Sequence, residues 1–235
     1  MFDVNYFLQT INSENKGFQA VACNKITYIR TYKCASSFFY CNLKELYGWR
    51  EIGLDQINWN EKVFSHIRNP LDRRHRGLAH YLYHNHPKML DNDNIFEVML
   101  DIPFFDSHSE SYVSALGDYA YKIDWIPIDY YSENTVTKLT ERLLNHCGQV
   151  LTKGLNPDFK NSTVTPEKLL YEKIKNHFEH KWRENVKNNV LRNFAFDRYF
   201  LKDLKLYKEI IEHFNPDGLT WPDSSWLRKN ENKTN

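Results

Sequence analysis

Two short runs rich in β-branched and aromatic residues frame this chain: Lys25-Ile26-Thr27-Tyr28-Ile29-Arg30 and Val63-Phe64-Ser65-His66-Ile67. Each has the length and composition of a strand. Between them, Ser36 and Ser37 are N-cap residue types ahead of an apolar-rich segment, 38–46, that stops before Gly48. Strand, helix and strand in that order make a βαβ unit, whose two strands run parallel because the helix returns the chain to its starting end. The expected fold is α/β with a central parallel sheet.

The rest of the chain extends this pattern. Asn69-Pro70 ends the second strand and puts proline at the first position of a helix reaching about Tyr83. Asp93 is placed to cap a short helix over 94–101, and Pro103 opens a loop that carries Asp106, His108 and Glu110. A further strand is expected over 122–126, with Pro127 at a sheet edge or outside the ladder. Ser132-Glu133 starts a helix with Val136, Leu139, Leu143 and Leu144 at helical spacing, ending near Gly148. After a loop over 152–164, Thr165-Pro166-Glu167 is a strong helix start, and helical pattern continues with interruptions to about Phe214. The expectation is one domain over 1–221, helix-rich towards its end, and a polar tail over 222–235.

Composition excludes several classes. The 31 basic residues nearly balance the 30 acidic ones, so no global field gathers nucleic acid. No run approaches the roughly 18 apolar residues of a membrane span, and the first residues lack the basic-then-apolar pattern of a secretory signal, so a cytoplasmic protein is expected. The 4 cysteines form no CxxC pair and read as free thiols.

Two segments carry charge suited to phosphate. Lys33-Cys34-Ala35-Ser36-Ser37 sets a lysine, small residues and two hydroxyls at the start of a helix, where small side chains let a phosphate approach the backbone N–H groups. A Walker A loop would place lysine after glycines, and this loop has none. Arg68-Asn69-Pro70-Leu71-Asp72-Arg73-Arg74-His75-Arg76 follows the second strand, with Arg73 and Arg76 three apart on one helix face. Guanidinium groups grip phosphate through paired N–H donors, and ligands of open α/β sheets bind at the carboxyl ends of parallel strands. Taken singly, each segment has a plainer reading: a helix cap without ligand, and a solvated face or ion pairs with Asp72.

Together the two segments resemble the nucleotide-binding signatures of sulfotransferases that use 3′-phosphoadenosine 5′-phosphosulfate (PAPS), specifically the carbohydrate-type, Golgi-like branch. Lys33-Cys34-Ala35-Ser36-Ser37 is similar to the loop that holds the 5′-phosphosulfate, and Ile67-Arg68-Asn69-Pro70-Leu71-Asp72-Arg73 to the motif that holds the 3′-phosphate. Asp106-Ser107-His108 resembles a histidine-bearing acceptor-side segment, and 122–126 followed by Glu133 resembles the strand and helix after it. The likeness covers roughly 25–148. It departs from the family at Arg76, which stands where a serine is usual eight residues after Arg68, and at Asn69, where aspartate is usual.

The resemblance implies a P-loop-NTPase-like three-layer α/β/α fold and transfer of a sulfuryl group from PAPS to an acceptor hydroxyl, in all expectation of a carbohydrate, leaving adenosine 3′,5′-bisphosphate (PAP). No metal is implied. Lys33 would act on the bridging oxygen. Cys34, Ala35, Ser36 and Ser37 would cradle the 5′-phosphate, and Arg68, Arg76 and Arg73 would hold the 3′-phosphate. His108 is the first choice of acceptor base, with Glu51, Asp55 and Glu61 as alternatives between the two motifs. Lack of a membrane anchor departs from Golgi members and points to a bacterial or viral protein, or to a chain trimmed of its anchor. Two other functions stay open: another P-loop-like nucleotide-dependent transferase or kinase, which needs Mg²⁺ held by an acidic residue after a strand, and a non-catalytic nucleotide-binding homologue.

His80, His84 and His86 form an H-x-x-x-H-x-H spacing. With no H-E-x-x-H and no nearby cysteine, surface or interface histidines are favoured over a zinc site.

Overall fold

The computed structural model describes residues 17–87, 108–159, 165–187 and 195–214. The fold is α/β. Its strands are β1 (Gln19–Cys23), β2 (Ile26–Arg30), β3 (Arg50–Ile52), β4 (Lys62–Ile67) and β5 (Asp124–Pro127). Its helices are α1 (Ser36–Cys41), α2 (Pro70–Asn85), α3 (Tyr112–Leu116), α4 (Glu133–His146), α5 (Thr165–Lys187) and α6 (Ala195–His213). The expected helix over 94–101, Asp106 and the tail over 222–235 lie outside the described residues.

The strands form one sheet in the order β3-β1-β2-β4-β5. The pairs β2–β4 and β4–β5 are parallel, as the βαβ spacing predicts, whereas β1 pairs antiparallel with both β2 and β3. The sheet is therefore mixed, which corrects the expectation of a parallel one. β1 escapes a sequence reading because Gln19-Ala20-Val21-Ala22-Cys23 has little β-branched content. A two-residue turn joins it to β2, with Asn24 in the left-handed region at φ 52°.

Side chains alternate along the strands, so each face of the sheet has its own core. Ala20, Ile29, Val63, Ile67 and Trp125 pack with Tyr112 and Leu116 of α3 and with Leu206, Tyr207 and Ile210 of α6. Val21, Tyr28, Phe64 and Ile126 pack on the other face with Phe38 and Phe39 of α1 and with Val136, Leu139 and Leu143 of α4. Helices thus cover both faces. α2 packs along α5. No described helix is long and apolar enough to cross a membrane.

Two local features differ from expectation. Ser36 and Ser37 are the first residues of α1 and not its caps; the cap position is Ala35, left-handed at φ 54°, with no side-chain capping bond. α1 continues as a π-helical turn, Asn42–Leu46, where the Asn42 side chain donates to the Phe38 carbonyl at 2.9 Å.

Candidate functional site

The carboxyl ends of β2 and β4 are clipped together. Thr31 Oγ1 donates to the His66 carbonyl at 2.6 Å, and Ser65 Oγ donates to the Ile29 carbonyl at 2.7 Å. The buried Tyr112 hydroxyl adds a third tie, 3.2 Å from both Cys34 Sγ and the Arg68 carbonyl. The loops that follow the two strands, carrying Lys33 and Arg68, are thereby held side by side.

These loops open on a crevice of about 1090 Å³. Arg30, Lys33, Arg68, Arg76 and Lys168 face it against the carboxylates Glu133 and Glu167, and Ile128, Tyr131, Val136, Phe38 and Phe39 give it an apolar wall. A concave site with one predominant sign of charge and an aromatic wall suits an anionic ligand that carries a flat ring.

The loop at 33–37 is built for close approach. Lys33 and Ala35 both hold left-handed backbone, at φ 63° and 54°, a conformation that costs a non-glycine residue roughly 1–2 kcal/mol. Left-handed residues interleaved with right-handed ones turn successive N–H groups to one side, the pattern of anion-binding backbone concavities. Ser36 is 2% exposed, lines the crevice, and its Oγ has no hydrogen-bond partner among the described residues. A buried hydroxyl without a partner costs about 1–3 kcal/mol, which a ligand oxygen would recover. Ser37 Oγ accepts from Arg30 at 2.9 Å. Ala35 also lines the crevice, whereas Cys34 is fully buried against Tyr112.

The arginines divide into two groups. Arg68 Nη1 and Arg76 Nε donate to the same oxygen of Asp72, at 2.7 and 2.9 Å, and the Tyr171 hydroxyl donates to its other oxygen at 2.5 Å. Burial would raise the Asp72 carboxyl, but hydrogen bonds from Tyr171, Arg76 and Arg68 together hold it down at about 2. Asp72 therefore fixes both guanidiniums at the crevice wall and offsets part of their charge. Arg73 is elsewhere: it is fully buried, stacks 4.5 Å from the Tyr112 ring and donates to the Tyr32 and Glu110 carbonyls. That geometry makes it a brace between the 31–35 loop and the segment beginning at His108.

His108 lines the same crevice as Lys33, its ring 4.9 Å from Tyr32 and 4.8 Å from His80. Its position depends on Gly77, since a Cβ there would lie 2.7 Å from the His108 carbonyl oxygen. Glu51 pairs with Lys44 at 2.5 Å on β3, Asp55 is exposed, and Glu61 borders β4; none of the three lines the crevice.

Several site residues are absent from the sequence reading. Glu167 carboxylate oxygen Oε1 lies 3.3 Å from Lys33 Nζ and 3.3 Å from His80 Nδ1, and Oε2 lies 3.9 Å from His84 Nε2. Burial would raise Glu167, but the Lys33 ammonium, together with hydrogen bonds from Lys33 and His80, holds it below the ordinary carboxylate range. Burial, reinforced by Lys33 and His108, pushes His80 down to about 4. In sequence, Glu167 reads as an acid complementing a helix start, and only the packing of α5 on α2 reveals its partners. Arg30 reads as a strand residue, although it ends β2 at the crevice mouth.

Comparison with protein-family models, with curated proteins and with solved structures finds no match for the chain.

Proposed function

We propose that the crevice binds PAPS and that the protein transfers its sulfuryl group to an acceptor hydroxyl, with a carbohydrate as the acceptor class. On this reading the α/β scaffold is a sulfotransferase variant of the P-loop-type three-layer fold. The observation that carries it is the convergence of Lys33, Ser36, Arg68 and Arg76 on one crevice at the carboxyl ends of two adjacent parallel strands. Both motifs resemble halves of one nucleotide site, and they share a wall.

In this mechanism the backbone and hydroxyls at 35–37 hold the 5′-phosphate, Arg68 and Arg76 hold the 3′-phosphate, and the apolar wall receives the adenine. The acceptor oxygen attacks sulfur in line as the bond between sulfur and the bridging oxygen breaks, and that oxygen keeps the electron pair and leaves with PAP. Lys33 neutralises the charge developing on it, a transition-state role that requires its ammonium to leave Glu167 for the nucleotide. His108 takes the acceptor proton. No step uses a metal.

The test is formation of PAP from PAPS, followed chromatographically in EDTA with a panel of sugars. The expected result is acceptor-stimulated PAP formation that disappears in Lys33→Ala. PAP formation no faster than in Lys33→Ala with every acceptor would overturn the catalytic reading and favour a non-catalytic nucleotide-binding protein.

A further inference from the structure

We propose that His80, His84 and Glu167 form a binding site for a divalent transition metal ion, of the Zn²⁺ or Co²⁺ class, at the rim of the crevice. One ligand atom from each residue lies within 4.8 Å of the others. His80 and His84 are one turn apart on α2, so their rings lie on one face, 4.3 Å apart. Glu167 comes from the first turn of α5, which packs along α2, so the three ligands stand on two helices that brace each other.

The distances suit coordination. Ligand atoms about 2.0–2.1 Å from a tetrahedral metal lie roughly 3.3 Å from one another. His80 Nδ1 is already 3.3 Å from Glu167 Oε1, while His84 Nε2 is 3.9 Å from the other oxygen, Oε2, and one ligand atom from each residue lies within 4.8 Å of the others, so a movement of His84 by about 1.5 Å closes the set. His84 has the freedom to make it, with a side chain 51% exposed, whereas Glu167 is 9% exposed and held in place. The same exposure leaves an open coordination position for water. Two imidazoles and one carboxylate favour borderline transition metals over Mg²⁺ or Ca²⁺, which prefer all-oxygen sites.

The site is linked to Lys33, whose ammonium lies 3.3 Å from the carboxylate oxygen that also faces His80. A dication on Glu167 competes with the ammonium for that oxygen and repels it. Metal binding therefore releases Lys33 into the crevice, and by linkage the Lys33–Glu167 pair weakens metal binding. This ion stands beside the transfer chemistry, and its assignment does not rest on the sulfotransferase reading.

The experiment is titration of the untagged, metal-stripped protein with Co²⁺, read by the visible absorption of the bound ion, and with Zn²⁺ by calorimetry. One equivalent is expected to bind, at least tenfold more weakly in His84→Ala and in Glu167→Gln, and unchanged in the exposed control His146→Ala. Lys33→Met should bind several-fold more tightly. Circular dichroism of each variant, matching wild type, shows that a loss is not unfolding, and His84→Ala is the change least able to disturb packing. No saturable binding, or binding that survives both His84→Ala and Glu167→Gln, would overturn the site. Unchanged affinity in Lys33→Met would overturn the competition. Binding of PAP, measured separately in EDTA, succeeds or fails independently.

Discussion

Thr31 Oγ1 lies 2.6 Å from the carbonyl oxygen of His66, a buried bond between the residue after β2 and a residue near the end of β4. It holds in register the two loops that carry Lys33 and Arg68. Thr31→Val keeps the shape and removes the donor, leaving a buried carbonyl poorly served. The expected cost is about 1–3 kcal/mol, read from urea midpoints, together with weaker PAP binding. A variant as stable as wild type with unchanged affinity would show that the strand ends are held by other means.

The loop geometry gives a second prediction. Ala35 is left-handed at φ 54° without being glycine. Ala35→Gly relieves that strain but adds freedom to the unfolded chain, so it should be neutral or stabilising by up to about 1 kcal/mol. Ala35→Val should destabilise by more than 1 kcal/mol, roughly, because a β-branched residue tolerates positive φ least. Thermal unfolding of the pair checks this, and the reverse order would contradict the left-handed assignment.

Gly77 tests the placement of His108. A Cβ at 77 would stand 2.7 Å from the His108 carbonyl oxygen, and backbone must move to admit it. Gly77→Ala should lower turnover about 10-fold or more, since small misplacement of a catalytic group is costly, while PAP affinity stays within a few-fold. Equal turnover in both proteins would take His108 out of the mechanism.

Legibility in sequence followed the range of the interactions. β2, β4, α2, α4 and the start of α5 are visible because strand composition, Asn69-Pro70, Ser132-Glu133 and Thr165-Pro166-Glu167 act locally. β1 and β3 are not, because their hydrogen-bonding partners, and not their own residues, make them strands. At the site, Lys33, Ser36, Ser37, Arg68, Arg76 and His108 are legible as motif residues and converge on the crevice, whereas Arg73 shares a helix face with Arg76 in sequence and is consumed by carbonyls of the core. Glu167 lies 134 positions from Lys33 and is found only through the fold.

Two buried histidines predict a dependence of stability on pH. His66 is fully buried between Tyr28 and Thr140, both at 3.0 Å, and burial pushes it down to about 3. His75 is pushed down to about 4 by burial and by Arg74. Unfolded, each takes a proton near pH 6.5, so below that pH the unfolded state holds more protons and stability rises with pH. Stability should be full above about pH 6.5 and fall as pH drops towards 4, by roughly tenfold in the folding equilibrium per pH unit for each histidine. Urea midpoints that stay flat between about pH 7 and pH 5 would show that these rings accept protons in the folded state.

If one nucleotide spans Lys33, Ser36, Arg68 and Arg76, it will register in thermal unfolding with PAP in EDTA, set against ATP with Mg²⁺. A ligand at about a hundred times its Kd stabilises by about 2.7 kcal/mol, which for a chain of this size raises Tm by about 5–10 °C. The expected result is a shift of that order with PAP, a smaller one with ATP and Mg²⁺, and loss of the PAP shift in Arg68→Ala. A larger shift with ATP and Mg²⁺, or none with PAP at any concentration, would show that the crevice is not a site for this nucleotide.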